Sequence, residues 1–154
     1  MDVLNRPAEE FENDGMVEEL WAMKAFDHAE VYFNLISSCD PRALHLSPFD
    51  DQIYTTFRQD FPTLNIGLLD ENEMKSPVAK EKWRKFIEKF NKLEDFGFGS
   101  LIRINAGEDF GENNSMLVVR IQFLAIEIAR NREGYNDKIY KKYAKAREED
   151  VAQG

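Results

Sequence analysis

Cysteine is almost absent from this chain of 154 residues, which has a single thiol, Cys39. One cysteine cannot form an internal disulfide, and cytosolic and nuclear proteins generally lack disulfides. The opening residues also lack the basic region and apolar run of a secretory signal peptide. No apolar run reaches the roughly 18 residues that a membrane-spanning helix needs. These absences predict a protein of the cytoplasm or nucleus that has no membrane partner.

Basic residues are in deficit, because 20 Lys and Arg face 29 Asp and Glu, a formal net charge of -9. Nucleic acids and anionic membranes select basic surfaces, so this balance predicts no nucleic-acid partner. Hydrophobic residues make up 43% of the chain, and 12 of its residues are phenylalanine. That composition is typical of a globular domain with an aromatic core.

Arrangements of residues that carry catalysis are lacking as well. His28 and His45 have no second histidine or cysteine at ligand spacing, whereas zinc takes three or four such groups. Adjacent acidic residues such as Asp50 and Asp51 are expected on solvated faces of a chain this acidic. We therefore predict no catalytic residue, no metal and no cofactor, and we expect that the protein is not an enzyme.

Helical patterns dominate what is present. From about Met16 to the residue before Asp40, apolar residues recur at helical spacing and predict a first helix that is mostly buried. The Ser-Pro pairs at 47–48 and 76–77 each place a capping hydroxyl before a proline at the first helical position. Each pair predicts the start of another helix.

A long apolar helix is predicted further along, capped by Asn114 or Ser115 and closed by Gly134. Before it, the stretch Gly99–Asn105 alternates in hydrophobicity and reads as a short strand or an extended segment. A hairpin there would turn the fold class into α+β.

The whole pattern predicts a mainly α single domain of about four to five helices. This domain is placed at residues 15–143, between a mobile acidic leader at residues 1–14 and a charged tail at residues 144–154. No heptad seam is present, so we expect a monomer.

A row of lysines follows one face of the third predicted helix. Its members are Lys82, Lys85, Lys89 and Lys92. A basic row can bind an acidic partner or an RNA backbone. However, Glu81 precedes Lys85 by four residues and Glu88 precedes Lys92 by four, which is the spacing of exposed ion pairs on a helix. A solvated helix face is the interpretation that we favour.

A polar line crosses the otherwise apolar helix RIQFLAIEIARNREGYN. Arg120, Glu127 and Asn131 fall within about 40° of one another around the helix axis, with Arg130 at the edge of the line. An unpaired charge in a dry core costs several kcal/mol, so each needs a partner or water. A structural clamp, a docking surface and an active site remain as interpretations, in falling order of preference.

The chain also resembles a known family. The chain resembles the small eukaryotic polysaccharide-biosynthesis-domain-containing proteins over roughly Glu18 to Asn136. The resemblance is carried, in this order, by the runs AEVYFNLISS, DDQIYTTF, AKEKWRKF, FNKLEDFGFGSLIRI and RIQFLAIEIARNREGYN. The resemblance implies a non-enzymatic chaperone dedicated to newly made translation elongation factor 1 alpha. It also implies that this chaperone holds the factor's GTP-binding domain while the domain folds, and that it needs no cofactor.

Thirteen residues carry the resemblance as the family's signature. They are Asp50, Asp51, Tyr54, Trp83, Arg84, Gly99, Arg103, Arg120, Glu127, Arg130, Asn131, Gly134 and Tyr135. A dedicated chaperone should shield an apolar patch of its client and fix its orientation with a polar rim. The residues that we predict for part of this rim are Arg130, Asn131, Glu133 and Tyr135. A protein-protein adaptor or scaffold domain is the alternative that the sequence leaves open.

Overall fold

The computed structural model describes residues 15–93 and 96–153. Six α-helices lie in this part of the chain: α1 (Gly15–Ser38), α2 (Asp50–Asp60), α3 (Glu71–Met74), α4 (Pro77–Glu88), α5 (Arg120–Glu133) and α6 (Asp137–Gln153). Two antiparallel strands complete it, namely β1 (Gly99–Arg103) and β2 (Ser115–Val119). The prediction of a mainly α single domain is confirmed, and the expectation that a hairpin would turn the class into α+β was wrong, because its two strands have only five residues each. The predicted leader lies outside the described residues, and α6 continues through the tail as far as Gln153.

Helix α1 begins and ends where the sequence predicts, but it is less buried than expected. Ala25, Ala29, Tyr32 and Ile36 are buried at steps of four, three and four residues. Met23, on the outer side, is 60% exposed. The prediction of a mostly buried helix was wrong for this outer side, because α1 packs with one face against β1 and α6.

The two Ser-Pro signals have different outcomes. Ser76 caps α4, since its hydroxyl oxygen accepts a hydrogen bond from the backbone N–H of Ala79 at 3.2 Å. Helix α2 begins only at Asp50, two residues later than the first Ser-Pro pair predicts. The carboxylate of Asp50 accepts hydrogen bonds from the backbone N–H groups of Leu46 and Ser47, at 2.7 and 2.8 Å. The residues between therefore form a turn in front of the helix.

The hairpin of β1 and β2 corrects the predicted start of the long helix. Neither Asn114 nor Ser115 caps α5, because Ser115–Val119 is a strand whose Leu117 lies opposite Leu101 of β1. The apolar run of this strand was mistaken for the first turns of the helix. Helix α5 starts at Arg120, where the Gln122 side chain accepts from the backbone N–H of Val119 at 3.0 Å.

An aromatic cluster forms the core beside α5, as the phenylalanine content predicts. The rings of Phe61 and Trp83 stack with centroids 4.2 Å apart, and Phe57 lies 5.8 Å from Trp83. Helix α5 packs against α2, α4 and both strands, and it is the central helix of the described fold. Among the described residues, no helix has both the length and the apolar character needed to cross a membrane.

Candidate functional site

Glu127, Arg130 and Asn131 of α5 point into the core, where they join residues of three other segments. We call this group the buried polar network. It consists of Tyr32, Arg103, Glu127, Arg130, Asn131 and Asn136. Each member is at most 8% exposed. The network therefore connects α1, β1, α5 and the end of the α5–α6 connection inside the protein.

Arg130 and Glu127 form the centre of the network. The Arg130 guanidinium donates to the Glu127 carboxylate at 2.8 Å, through two side chains that are 0% and 1% exposed. Its Nε donates to the backbone carbonyl of Ile66 at 2.7 Å, and its second terminal nitrogen donates to that of Ile104 at 3.3 Å. One side chain thus ties α5 to the chain before α3 and to the end of β1.

Asn136 closes the network on the other side of Glu127. Its amide nitrogen donates to Glu127 at 3.0 Å and to the side-chain oxygen of Asn131 at 2.6 Å. Its side-chain oxygen accepts from Arg103, whose guanidinium also lies 3.7 Å from the Glu127 carboxylate. Tyr32 donates to Glu127 at 3.1 Å and accepts from Asn131 at 3.1 Å.

Charge within the network determines the protonation states of its members. Burial alone would raise the pKa of Glu127, but the positive charges of Arg130 and Arg103 outweigh burial and hold that pKa below its usual value. Burial, and next the negative charge of Glu127, raise the pKa of Tyr32 far above its usual value. The carboxylate is therefore ionised and the phenol neutral near pH 7. Two buried cations share one buried anion.

This geometry favours the structural clamp among the interpretations of the polar line. The carboxylate and guanidinium groups are saturated by protein partners and lie out of a substrate's reach, so they have no free acid or base function to offer. Arg120 lies apart from the network, where its Nε donates to the Ser100 hydroxyl at 2.8 Å. The line read from the sequence therefore divides into two separate sets of contacts.

The predicted rim residues divide between the interior and the surface. Arg130 and Asn131 are 0% and 2% exposed, so neither side chain is within reach of a partner in this structure. Helical spacing placed them beside Glu133 without revealing how deeply the end of α5 is buried. Glu133 and Tyr135 lie at the surface, and the assignment of partner binding to them stays a prediction.

Glu133 is fixed in place by α2. Its two carboxylate oxygens accept from the Nε and a terminal nitrogen of Arg58, both at 2.8 Å, and the Tyr54 hydroxyl donates to it at 2.9 Å. The hydrogen bonds from Arg58 are the main reason that the pKa of Glu133 lies below its usual value. A paired, two-pronged contact of this kind fixes orientation as well as charge.

Tyr135 follows the glycine that ends α5. Gly134 has φ +90°, the left-handed conformation that glycine adopts without strain, and this confirms the predicted helix end. The Tyr135 ring then lies against the backbone of Gly67, where a built Cβ would be 2.8 Å from a ring carbon. Tyr135 is 42% exposed, and Leu68, the neighbour of Gly67, is 56% exposed. We call Leu68, Glu133 and Tyr135 the α5-end surface.

The other signature residues have identifiable structural contacts. Trp83 belongs to the aromatic core, and Gly99 is the first residue of β1. Arg84 donates to Glu81 and Glu88 on the exposed face of its own helix. These contacts account for the three residues without any ligand.

Asp51 and Tyr54 lie close to the α5-end surface. The Asp51 carboxylate accepts from Arg132 at 2.6 Å, and the Arg132 guanidinium lies 5.2 Å from the centre of the Tyr54 ring. They extend the polar contacts between α2 and the end of α5.

Three residues of these contacts were not identified from the sequence. Tyr32 was read only as an apolar position of α1, although its hydroxyl is the part that meets the network. Asn136 and Arg58 gave no periodic signal, because their partners are brought near by the fold and not by helical spacing. The available clue was that buried charges need partners, and it could not name those on other segments. It also did not reveal that Glu127 pairs with Arg130, three residues further along the same helix. In the described ranges, no group of three His, Cys, Asp or Glu side chains could hold a metal ion.

Comparison with known proteins covers most of the chain. A family model described as PBDC1 protein matches residues 17–141. The chain is 54% identical over 138 residues to Protein PBDC1 of Homo sapiens, covering 89% of this chain and 59% of that one. The homolog from Saccharomyces cerevisiae is 41% identical over 137 residues, with 86% of this chain and 94% of that one covered. The chain thus spans about three fifths of the human relative's length.

A solved structure agrees with the fold. It is a solution NMR structure of a Saccharomyces cerevisiae protein, with a TM-score of 0.77 and 40% identity. The likeness covers 87% of this chain and 95% of that chain. The structural similarity and the sequence similarity to this protein therefore agree.

Proposed function

The chain belongs to the PBDC1 protein family, and on that premise we propose that it is a dedicated chaperone of newly synthesised translation elongation factor 1 alpha. It binds the GTP-binding domain of that client and assists the folding of the domain. It acts as a monomer in the cytoplasm or nucleus, without a cofactor, and neither nucleic acid nor membrane is among its partners.

The observation that carries the proposal is the rigid support of the α5-end surface. An exposed aromatic ring at Tyr135 lies on the Gly67 backbone, directly after a helix whose polar residues are fixed in the core. Tyrosine contributes a large contact area at a low cost in conformational entropy, and it is enriched among residues that dominate binding energy. The paired Glu133 carboxylate beside it supplies a fixed polar group for the orientation of a partner.

The proposal places no chemical step on the protein. The buried acid Glu127 is held ionised by two guanidiniums, and the surface acid Glu133 is engaged by Arg58 and Tyr54. A general acid or base must be able to gain or lose a proton near the working pH, and it must reach a substrate. These carboxylates are committed to structural contacts, and this supports a binding function.

Release of the client has to follow from a difference in affinity. A chaperone discharges its client when the folded state binds more weakly than the immature state. Because this chain is proposed to hydrolyse no nucleotide, any dependence on GTP lies in the client's own domain. The α5-end surface should therefore recognise a feature that the client buries once it has folded around its nucleotide.

Affinity capture from translating cells tests the proposal. The tagged protein is recovered with and without a translation inhibitor, and the bound proteins are identified by mass spectrometry. We expect elongation factor 1 alpha in the capture, at a level that falls when new synthesis stops. Capture of unrelated proteins, unchanged by the inhibitor, would support the alternative of an adaptor or scaffold domain.

A further inference from the structure

A second surface lies on α4, where an apolar pocket meets the lysine row. We call it the α4 pocket. Its floor and rim include Phe61, Glu73, Met74, Val78, Lys82 and Trp83. The cavity has a volume of about 210 Å³. This is below the ~300–1,000 Å³ of small-molecule sites, so its size suits one inserted side chain.

The pocket has an apolar floor that reaches the core. Trp83, Phe61 and Met74 are 3%, 5% and 6% exposed, and they belong to the same packed core cluster. Val78 stands at the rim and is 73% exposed. Burial of an apolar side chain between this rim and floor removes apolar surface from water on both partners.

The lysine row continues directly from the pocket. Val78, Lys82 and Lys85 follow one another at steps of four and three residues, which places them on one face of α4, and Lys89, the residue after the helix, continues the row. Lys82 lies 4.9 Å from the centre of the Phe61 ring and has no carboxylate partner among the described residues. The axial distance from Lys82 to Lys89 is about 10 Å.

Local charge contrasts with that of the whole protein. Residues 73–92 contain seven basic and three acidic side chains, a net charge of +4 in a chain whose total is -9. Of the two ion pairs expected from the sequence, Glu81 and Lys85 lie 3.9 Å apart, whereas Glu88 accepts from Arg84 at 2.9 Å. Lys89 forms a pair that the sequence did not predict, 2.7 Å from Asp60 of α2. These contacts leave Lys82 without a carboxylate partner in the described part of the chain. A basic strip on an acidic protein attracts acidic partners and repels basic ones.

From the pocket and the strip together, we propose that α4 docks an acidic protein segment that inserts one apolar side chain into the α4 pocket. The acidic groups of the segment lie along Lys82, Lys85 and Lys89. An RNA strand would meet the same lysines, but its bases bind proteins by stacking on accessible aromatic rings, and the rings of Phe61 and Trp83 are only 5% and 3% exposed. This inference goes beyond the proposed function, because it concerns a separate surface and requires no particular client.

The test uses short synthetic peptides and the purified protein. A fluorescein-labelled peptide with one phenylalanine followed by a run of glutamates is titrated, and fluorescence anisotropy is recorded. Two matched peptides replace the phenylalanine by serine or the glutamates by lysines. We expect saturable binding of the first peptide, and we expect each of the two replacements alone to abolish that binding. Equal binding of all three peptides, or no binding of the first, would overturn the proposal.

Surface variants locate the binding. Val78→Glu and Lys82→Glu should each weaken binding of the acidic peptide about tenfold, because the first places a negative charge at the apolar rim and the second replaces an attraction by a repulsion. Lys145→Glu, which makes the same change at an exposed position of α6, is the matched control and should leave the affinity unchanged. Equal loss in the control would mean that total charge drives the binding, contrary to the proposal.

A competition arm separates the peptide from nucleic acid. A single-stranded RNA oligomer should not displace the labelled peptide, and displacement at lower concentration than unlabelled peptide would contradict the proposal. The result is independent of client capture. If the peptide binds but elongation factor 1 alpha is not captured from cells, the proposal of docking at the α4 pocket is supported and the chaperone proposal is contradicted.

Discussion

At the scale of single residues, Glu127 has the most demanding environment in the described part of the protein. Its side chain is 1% exposed and lies between two guanidiniums, which it contacts at 2.8 and 3.7 Å. Tyr32 and Asn136 donate to the same carboxylate, so its lone pairs are occupied. A buried ion pair contributes little to stability relative to an apolar core. Loss of one partner is nevertheless strongly destabilising, because it leaves the remaining buried charges unpaired.

Glu127→Gln should therefore destabilise the protein by about 3–5 kcal/mol, although the side chain keeps its size. The change removes the one negative charge between Arg103 and Arg130 and turns an acceptor into a donor. Urea unfolding followed by circular dichroism measures the effect. Glu133→Gln, at the surface, is the matched control and should cost at most about 1 kcal/mol. A cost for Glu127→Gln no larger than that of the control would contradict the clamp interpretation.

His28 provides a prediction about pH. Burial, and next the positive charge of Arg120, lower the pKa of its imidazole from 6.5 to about 4. The unfolded chain then binds more protons than the folded one between about pH 6.5 and pH 4, so the free energy of unfolding falls as pH falls through that window. Carboxylates with lowered pKa, such as Glu127 and Glu133, whose ordinary pKa is 4.5, add their own loss as pH falls below about 5.

His28→Gln should flatten this dependence between pH 6.5 and pH 4. Because the ring is only partly buried, we expect the wild-type loss attributable to it to be about 1–2 kcal/mol. Urea unfolding at a series of pH values checks this, with His45→Gln as the control for removal of an exposed histidine. An unchanged slope in His28→Gln would show that another group causes the loss.

At the scale of elements, the start of α4 and the end of α5 were predicted from the sequence, whereas the predicted starts of α2 and α5 were wrong. Ser76 and Gly134 act through the backbone of their immediate neighbours, so their contacts follow from sequence spacing alone. Strand β2 was missed because its apolar run suits a buried helix as well as a strand, and only its pairing with β1 distinguishes the two. The contacts of Asn136 and Arg58 depend on the packing of distant segments, which no local pattern encodes.

The end of α5 gives a prediction at this scale. Gly134→Ala should destabilise the protein by about 1–2 kcal/mol, because an L-residue is strained at φ +90° and its Cβ would also meet the Arg42 guanidinium. Thermal unfolding measures the loss. Gly111→Ala is the control, since nothing lies within 4 Å of a Cβ built there and its φ is extended. If Gly134→Ala is as stable as Gly111→Ala, the left-handed conformation at residue 134 does not require glycine, contrary to this prediction.

At the scale of the whole molecule, the residues that fix α5 in the fold are separate from the residues that a partner could contact. The buried polar network fixes α5 against α1 and β1, and the α5-end surface lies where that helix leaves the core. The α4 pocket is a second, chemically distinct surface with an apolar floor and a basic border. Two such surfaces would let one small domain meet two segments of protein, which suits a chaperone and an adaptor alike.

Tyr135→Ser tests the first of these surfaces. Loss of the ring should reduce capture of elongation factor 1 alpha about tenfold, since tyrosine is enriched among residues that dominate binding energy. The variant also loses the contact with Gly67, so its urea midpoint should fall somewhat while the protein stays folded. Val31→Ser is the matched control, because it removes an apolar side chain that is 68% exposed on α1. Equal capture by both variants would assign client binding to a different surface.

The central claim, that this protein assists the folding of a new elongation factor, is tested most directly by synthesis of the client in its absence. A reconstituted translation system produces elongation factor 1 alpha with and without the purified protein, and the soluble fraction that binds GTP is measured. The account predicts a larger GTP-binding fraction when the protein is present, with a smaller gain for Tyr135→Ser. The same fraction with and without the wild-type protein would contradict it.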